Sequence, residues 1–246
     1  MSQQPPTPGP SNAGGFAATH WTVILAAARG IDPSRAAEAM TELCRTYWYP
    51  LYAFLRRRGH ETHEAEDLTQ EFFARLLGQQ SLANVDRRKG KFRSFLLASL
   101  KHFLSDQRDR ASAQKRGGGR PVISLDRLDA ESRYRLEPAQ DLTPEKMFQK
   151  QWALSVLERV LSRLHAELAA EGKAALFEAL KDALTGGQGS RYAAIGAALG
   201  MSEGAVKTAA HRLRRRYRAL LQEEIAQTVA SPDEIEDEIR YLASCL

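Results

Sequence analysis

Apolar positions recur along this chain at helical spacing, and strand-like alternation is scarce. In EAEDLTQEFFARLL, residues 64–77, Ala65, Leu68, Phe72 and Leu76 share one helix face, while Glu64, Asp67 and Glu71 gather on another. A second pattern runs from about Phe92 to Arg110. There Phe92, Phe95, Leu96, Leu100 and Phe103 face one way, and Ser94, Lys101, Ser105 and Arg108 face the other. The three phenylalanines lie on the apolar face, so they predict core rather than base-stacking surface. Further along, Trp152, Val156, Val160, Leu164 and Leu168 repeat every four residues, and Leu176, Phe177, Leu180 and Leu184 continue the series after Gly172. The fold class this predicts is all-α.

Punctuation divides the helices. Residues 1–15 are rich in Pro, Gly, Ser and Gln and predict a disordered tail. A helical domain over 16–113 follows, and then a linker over 114–143 that contains KRGGGRP and Pro138. A second helical domain spans 144–230, and an acidic helical extension spans 231–246. The expected architecture is two helical domains joined by a flexible linker, the second containing a helix-turn-helix. In the extension Ile235, Ile239, Leu242 and Leu246 keep a helical period, with Asp233, Glu236 and Asp237 elsewhere on the surface. Two accounts of it stay open: packing on the second domain, or masking the basic helix that ends at Arg218.

The sharpest local motif is YAAIGAALGMSEGAVKTAAHRLR, residues 192–214. Ile195 and Leu199 lie one turn apart, Gly200 suits a left-handed helix end, and Ser202 can cap the next helix. Small residues around Ile195 allow two helices to approach closely. On the second helix Val206, Ala210, Leu213, Tyr217 and Leu220 form an apolar back. Lys207, His211, Arg214 and Arg218 form a cationic stripe, with Arg215 beside it. A helix of that kind suits the major groove.

Composition narrows the classes. The 246 residues are 43% hydrophobic and 26% charged, the balance of a globular protein. No window approaches the ~20 apolar residues of a membrane span. The opening MSQQPPTPGPSNAGG lacks the charged start and apolar stretch of a signal peptide. Cys44 and Cys245 form neither a CxxC pair nor a metal spacing, which fits a reducing cytoplasm. The net charge of +5 is modest, but its distribution is not. Eleven Lys or Arg against two acids lie between Arg87 and Arg120, and Lys207 to Arg218 carries six bases and no acid. Such blocks are the footprint of phosphate-backbone binding.

Three of these stretches resemble a known family, the bacterial RNA polymerase sigma factors of the sigma-70 family and its extracytoplasmic-function subgroup. EAEDLTQEFFARLL resembles the core-binding segment, KFRSFLLASLKHFLSDQRDR the promoter-melting helix, and residues 192–214 the −35-reading helix-turn-helix. The KRGGG linker and the tail are similar to a branch common in planctomycetes. The resemblance implies that Asp67, Gln70 and Glu71 dock on the β′ coiled coil of core RNA polymerase. It implies that Arg88, Lys89, Lys91, Arg93, Lys101, His102 and Arg108 open and hold the −10 strand of promoter DNA. Glu203, Lys207, Thr208, His211, Arg212, Arg214 and Arg215 would read or grip the −35 duplex. An anti-sigma factor is a further partner the family admits. Two departures stand out: His102 replaces a frequent Asn, and Ala209 a frequent Arg.

Two rivals are weighed against this. A one-component transcriptional regulator, with a ligand-binding or dimerising N-terminal domain, would need neither the acidic stripe nor the basic melting helix. An enzyme is the weaker reading. His60 and His63 are three apart, whereas the HExxH zinc motif needs four. The Gly117–Gly119 run lacks the Lys-Ser/Thr of a phosphate loop. No catalytic residue, metal or cofactor is expected.

Overall fold

The computed structural model describes residues 33–78, 91–113, 127–136, 142–185 and 192–246. These form α1 (Pro33–Arg57), α2 (Thr62–Gly78), α3 (Phe92–Ala113), α4 (Arg127–Leu136), α5 (Pro144–Ala170), α6 (Ala174–Leu180), α7 (Tyr192–Leu199), α8 (Glu203–Ala226) and α9 (Ile235–Ser244). Short 3-10 segments follow α6 and precede α9, and no strand occurs among the described residues. The fold is all-α. The first 15 residues and the basic loop before α3 lie outside the described residues, except for Lys91.

α1 is the central post. From Tyr47 to Leu55 its aromatic and aliphatic side chains are buried on every side, as expected of a helix surrounded by neighbours. Its most extensive partner is α5, which also packs on α8. Trp152, Phe148, Val156 and Val160 of α5 therefore join Tyr52, Phe54 and Leu55 of α1 in one continuous core. The two predicted halves meet across this core. The four-residue series on α5 faces it, with Trp152, Val156, Val160 and Leu164 at most 1% exposed.

The segment read as a linker contains a helix, α4, bound to both α1 and α5. Glu131 accepts hydrogen bonds from the Tyr52 hydroxyl (2.5 Å) and from Arg56 Nε and Nη2 (3.2 Å each). Arg133 pairs with Glu158 on α5 at 3.0 Å and lies 4.3 Å from the Tyr49 ring centre. Only Ala130 of the described α4 side chains is buried and apolar, so polar and aromatic contacts hold this helix. That is why a hydrophobic pattern misses it. The chain then re-enters at Leu142, whose carbonyl accepts from Arg57 Nε at 2.7 Å. Thr143 caps α5 by accepting from the Lys146 amide, with Pro144 in the first turn, where its missing N–H costs nothing.

Burial alone would raise the Glu131 pKa, but the hydrogen bonds from Tyr52, Arg135 and Arg56 outweigh it and hold the carboxyl below the usual range. A depressed folded pKa means that the stabilisation is complete above the ordinary carboxylate pKa and disappears as pH falls through the lower folded value. Glu131→Gln is therefore expected to lower stability near neutral pH and to make it less steeply dependent on pH in the acid range. Urea melts of the two proteins across pH 3 to 7 check this, and parallel pH curves would remove Glu131 as a contributor.

Candidate nucleic-acid interface

α7 and α8 are joined by a turn whose residues are each required by its geometry. Gly200 takes φ +65°, a left-handed conformation that ends α7. Met201 donates its amide to the Gly196 carbonyl at 2.8 Å. A Cβ on Gly196 would come within 2.5 Å of the Met201 carbonyl oxygen, so close approach demands glycine there. Ser202 then caps α8, its hydroxyl accepting from the Ala205 amide at 3.2 Å. Val206, Ala210, Leu213 and Leu220 are buried, and Tyr217 is half-buried against the core. The back of α8 is thus occupied, and its other face is open.

Glu203, Lys207, Thr208, His211, Arg212, Arg214 and Arg215 are all exposed on that open face. Lys207 pairs with Glu203 at 2.6 Å, which raises the Lys207 pKa. Arg214 donates to the Tyr192 hydroxyl at 3.2 Å, bracing it against α7. Thr208 turns its hydroxyl back to the Gly204 carbonyl. The rest of the basic block behaves differently. Arg216 makes two 2.7 Å contacts to Glu167 of α5 and one of 3.2 Å to Glu223, and these hold its guanidinium pKa above the ordinary value. Arg218 pairs with Glu236 of the tail at 3.2 Å. These two arginines tie α8 to its neighbours.

α2 presents Glu64, Asp67 and Glu71 outward, whereas Glu66 is buried. Gln70 is half-buried, while Ala65, Phe72 and Leu76 face the core. Arg75 to Asp106 at 2.7 Å, and Gln107 donating to Glu71 at 2.6 Å, lock α2 to α3. Phe72 and Phe103 add a ring contact at 5.8 Å between the same helices. His60 Nδ1 lies 3.0 Å from Glu64, and His63 Nδ1 lies 3.8 Å from Glu66. Both histidines sit at the start of α2 beside carboxylates. No group of three potential metal ligands occurs among the described residues.

α3 divides its cations in two. Lys101, His102 and Arg108 are exposed along the outer face with Ser94 and Ser105, although Lys101 pairs with Glu145 of α5 at 2.7 Å. Phe92, Leu96, Leu100 and Phe103 are buried and Phe95 is half-buried, as their face predicts. Arg93 is turned inward and is only 6% exposed. Its Nε lies 2.6 Å from Glu238 Oε1, its Nη2 3.3 Å from Oε2, and its Nη1 2.9 Å from Gln149 Oε1. The guanidinium lies 3.9 Å from the Tyr241 ring centre and 5.1 Å from that of Trp152. Burial opposes its charge, yet the Glu238 carboxylate outweighs that and raises its pKa. Lys91 also binds Glu238. Arg88 and Lys89 lie outside the described residues.

Of the sequence-predicted set, the open face of α8 and the outer face of α3 are exposed as expected, whereas Lys91 and Arg93 are engaged by the tail. Sequence reasoning missed Glu238, Gln149 and Tyr241 as their partners. A signal was present: Glu238 stands three residues after Ile235 and four before Leu242, inside the apolar stripe of α9 rather than beside it.

Residues 43–114 match the family model Sigma-70 region 2, a segment that runs from α1 through the end of α3. No curated protein and no solved structure matches the chain significantly. The matched segment supports a sigma-70-type region 2 domain in the first half of the chain, a domain of non-enzymatic transcription initiation factors. Such a domain points to RNA polymerase binding and promoter melting, and it covers under a third of the chain. No described helix is long and apolar enough to cross a membrane.

The turn before α8 supplies a direct check. Gly196→Ala forces its methyl against the Met201 carbonyl, and overpacking of this kind costs about 1 to 3 kcal/mol. The expected result is a lowered thermal midpoint with the loss concentrated at α7 and the start of α8 in amide exchange. A midpoint equal to that of the parent protein would mean that the turn relaxes freely.

Proposed function

We propose that the chain is an extracytoplasmic-function sigma factor of a planctomycete-like branch, acting in the cytoplasm. It recruits bacterial core RNA polymerase and directs it to specific promoters. The observation that carries this reading is the pairing, inside the matched segment, of an outward acidic face on α2 with a basic face on α3. Asp67, Gln70 and Glu71 meet the β′ coiled coil, a cationic partner surface suited to exposed carboxylates. Lys101, His102 and Arg108, with Arg88, Lys89, Lys91 and Arg93, hold the separated −10 strand. Unstacking a base costs a few kcal/mol, which phosphate contacts and base stacking can offset.

The C-terminal half supplies the promoter address. Val206, Ala210 and Leu213 anchor α8, so that Glu203, Lys207, Thr208, His211, Arg212, Arg214 and Arg215 lie along the −35 major groove. Two DNA-binding surfaces on one chain bind jointly through effective concentration, so neither needs high affinity alone. An anti-sigma factor would act by covering either surface. Covalent chemistry belongs to the polymerase.

Run-off transcription with core polymerase on a genomic fragment library tests the reading. Discrete new starts that share an upstream pair of sequence elements are expected, and their absence alongside duplex binding without polymerase binding would favour a one-component regulator. Asp67→Arg is expected to abolish polymerase binding and leave duplex affinity intact, as followed by co-elution and fluorescence anisotropy. Equal loss of both would mean misfolding. Arg214→Ala is expected to weaken duplex binding and flatten its salt dependence by up to about one unit of slope. An unchanged slope would take Arg214 off the phosphate contacts.

A further inference from the structure

Glu238 is 0% exposed, and its two oxygens are taken by Arg93 and Lys91. A carboxylate between a guanidinium and an ammonium has the charge and the two-oxygen geometry of a phosphate between the same groups. The two cations sit at the start of α3, beside the strand-holding face Ser94, Lys101, Ser105 and Arg108. The proposed function, on which this inference rests, needs them free. The remaining ties of α9 differ in kind. Leu242 is its buried apolar side chain, Ile235, Ile239, Tyr241 and Cys245 pack half-buried against the core, and Glu236 reaches Arg218 and Gln222 at the exposed surface. Exposed pairs contribute little, so among the polar contacts of this helix the buried carboxylate is the one that fixes it over the start of α3. The Phe92 amide, donating to the Thr228 carbonyl at 3.2 Å, lays the approach to the tail over the same turn of α3.

We propose that α9 is an internal competitor for nucleic-acid phosphate: Glu238 occupies Lys91 and Arg93, and a single strand must displace it to engage the start of α3. The acidic extension thereby restrains the free chain. The contact it uses lies on α3, while the basic helix ending at Arg218 takes only the peripheral Glu236. Competition within one chain needs no high intrinsic affinity, because the tail is always present at high effective concentration.

The test uses the full-length chain and a mixed-sequence 30-nucleotide DNA single strand. Glu238→Gln removes the competing charge. Asp237→Asn removes a neighbouring exposed charge that pairs within α9, with Arg240. Glu238→Gln is expected to bind the strand on the order of tenfold more tightly, with a salt slope steeper by about one unit as two cations become available. Asp237→Asn is expected to stay within about twofold of the parent. Adding Lys91→Ala and Arg93→Ala to Glu238→Gln should cancel the gain, and a gain that survived would overturn the proposal. A folded Glu238→Gln protein with parental affinity would do the same.

Amide exchange on the unaltered protein gives a readout independent of any variant. Saturating strand should deprotect residues 235–244 while protecting the start of α3, and unchanged protection of α9 in the bound state would overturn the displacement. The two readings fail separately. Strand binding with displacement of α9, but no promoter-directed starts from core polymerase in either protein, would retain the competition and remove the initiation role. New starts that are equally abundant with the parent and Glu238→Gln, at equal strand affinity, would retain the role and remove the competition.

Discussion

A buried carboxylate shared by two cations organises the contact between α9 and the start of α3. Glu238 has no access to water, and isolating such a charge would be prohibitive without Arg93 and Lys91 against it. Removing one partner of a buried pair typically costs about 3 to 5 kcal/mol, because the other charge stays buried and unmatched. Arg93 carries this constraint outward. Gln149 and the rings of Trp152 and Tyr241 complete its surroundings, so α3, α5 and α9 are joined at one guanidinium. The pair is specific rather than merely adhesive, since few other arrangements would satisfy all three groups.

The apolar core is a different kind of hold. It runs from α1 through α5 to α8 and buries large aromatic and aliphatic side chains, and α9 lies at its margin, with Leu242 buried and Ile235, Ile239, Tyr241 and Cys245 half-buried. On the competition proposed above, a strand would gain Lys91 and Arg93 by displacing α9 without separating α5 from α1, whose contact does not involve the tail. The Lys101–Glu145 pair, half-exposed on both sides, is easy to exchange for a phosphate.

Charge on α8 is sorted by position along the helix. Glu167, Glu223 and Glu236 claim Arg216 and Arg218, and Glu203, Lys207, His211, Arg212, Arg214 and Arg215 stay on the open face. A contiguous basic block thus divides between fastening the helix and presenting a surface. Rotation accounts for Arg216, which falls toward α5, whereas Arg218 shares the stripe of Lys207, His211 and Arg214 and is taken because the tail's Glu236 lies beside the C-terminal half of the helix.

Local chemistry was legible in the sequence. The all-α class, the inward faces of α2, α3, α5 and α8, the left-handed Gly200, the Ser202 cap and the outward stripe of Glu64, Asp67 and Glu71 all follow from period and side-chain type, which act over one or two helical turns. α4 escaped notice because Glu131 and Arg133, rather than an apolar stripe, attach it. Tertiary structure alone decided three things. It brought the two predicted halves onto one core, it turned Arg93 inward, and it set Glu238 against it from 145 positions away. A charge count gives the sign and spacing of cations along the chain, but whether a cation faces water or a distant carboxylate depends on which helices pack together.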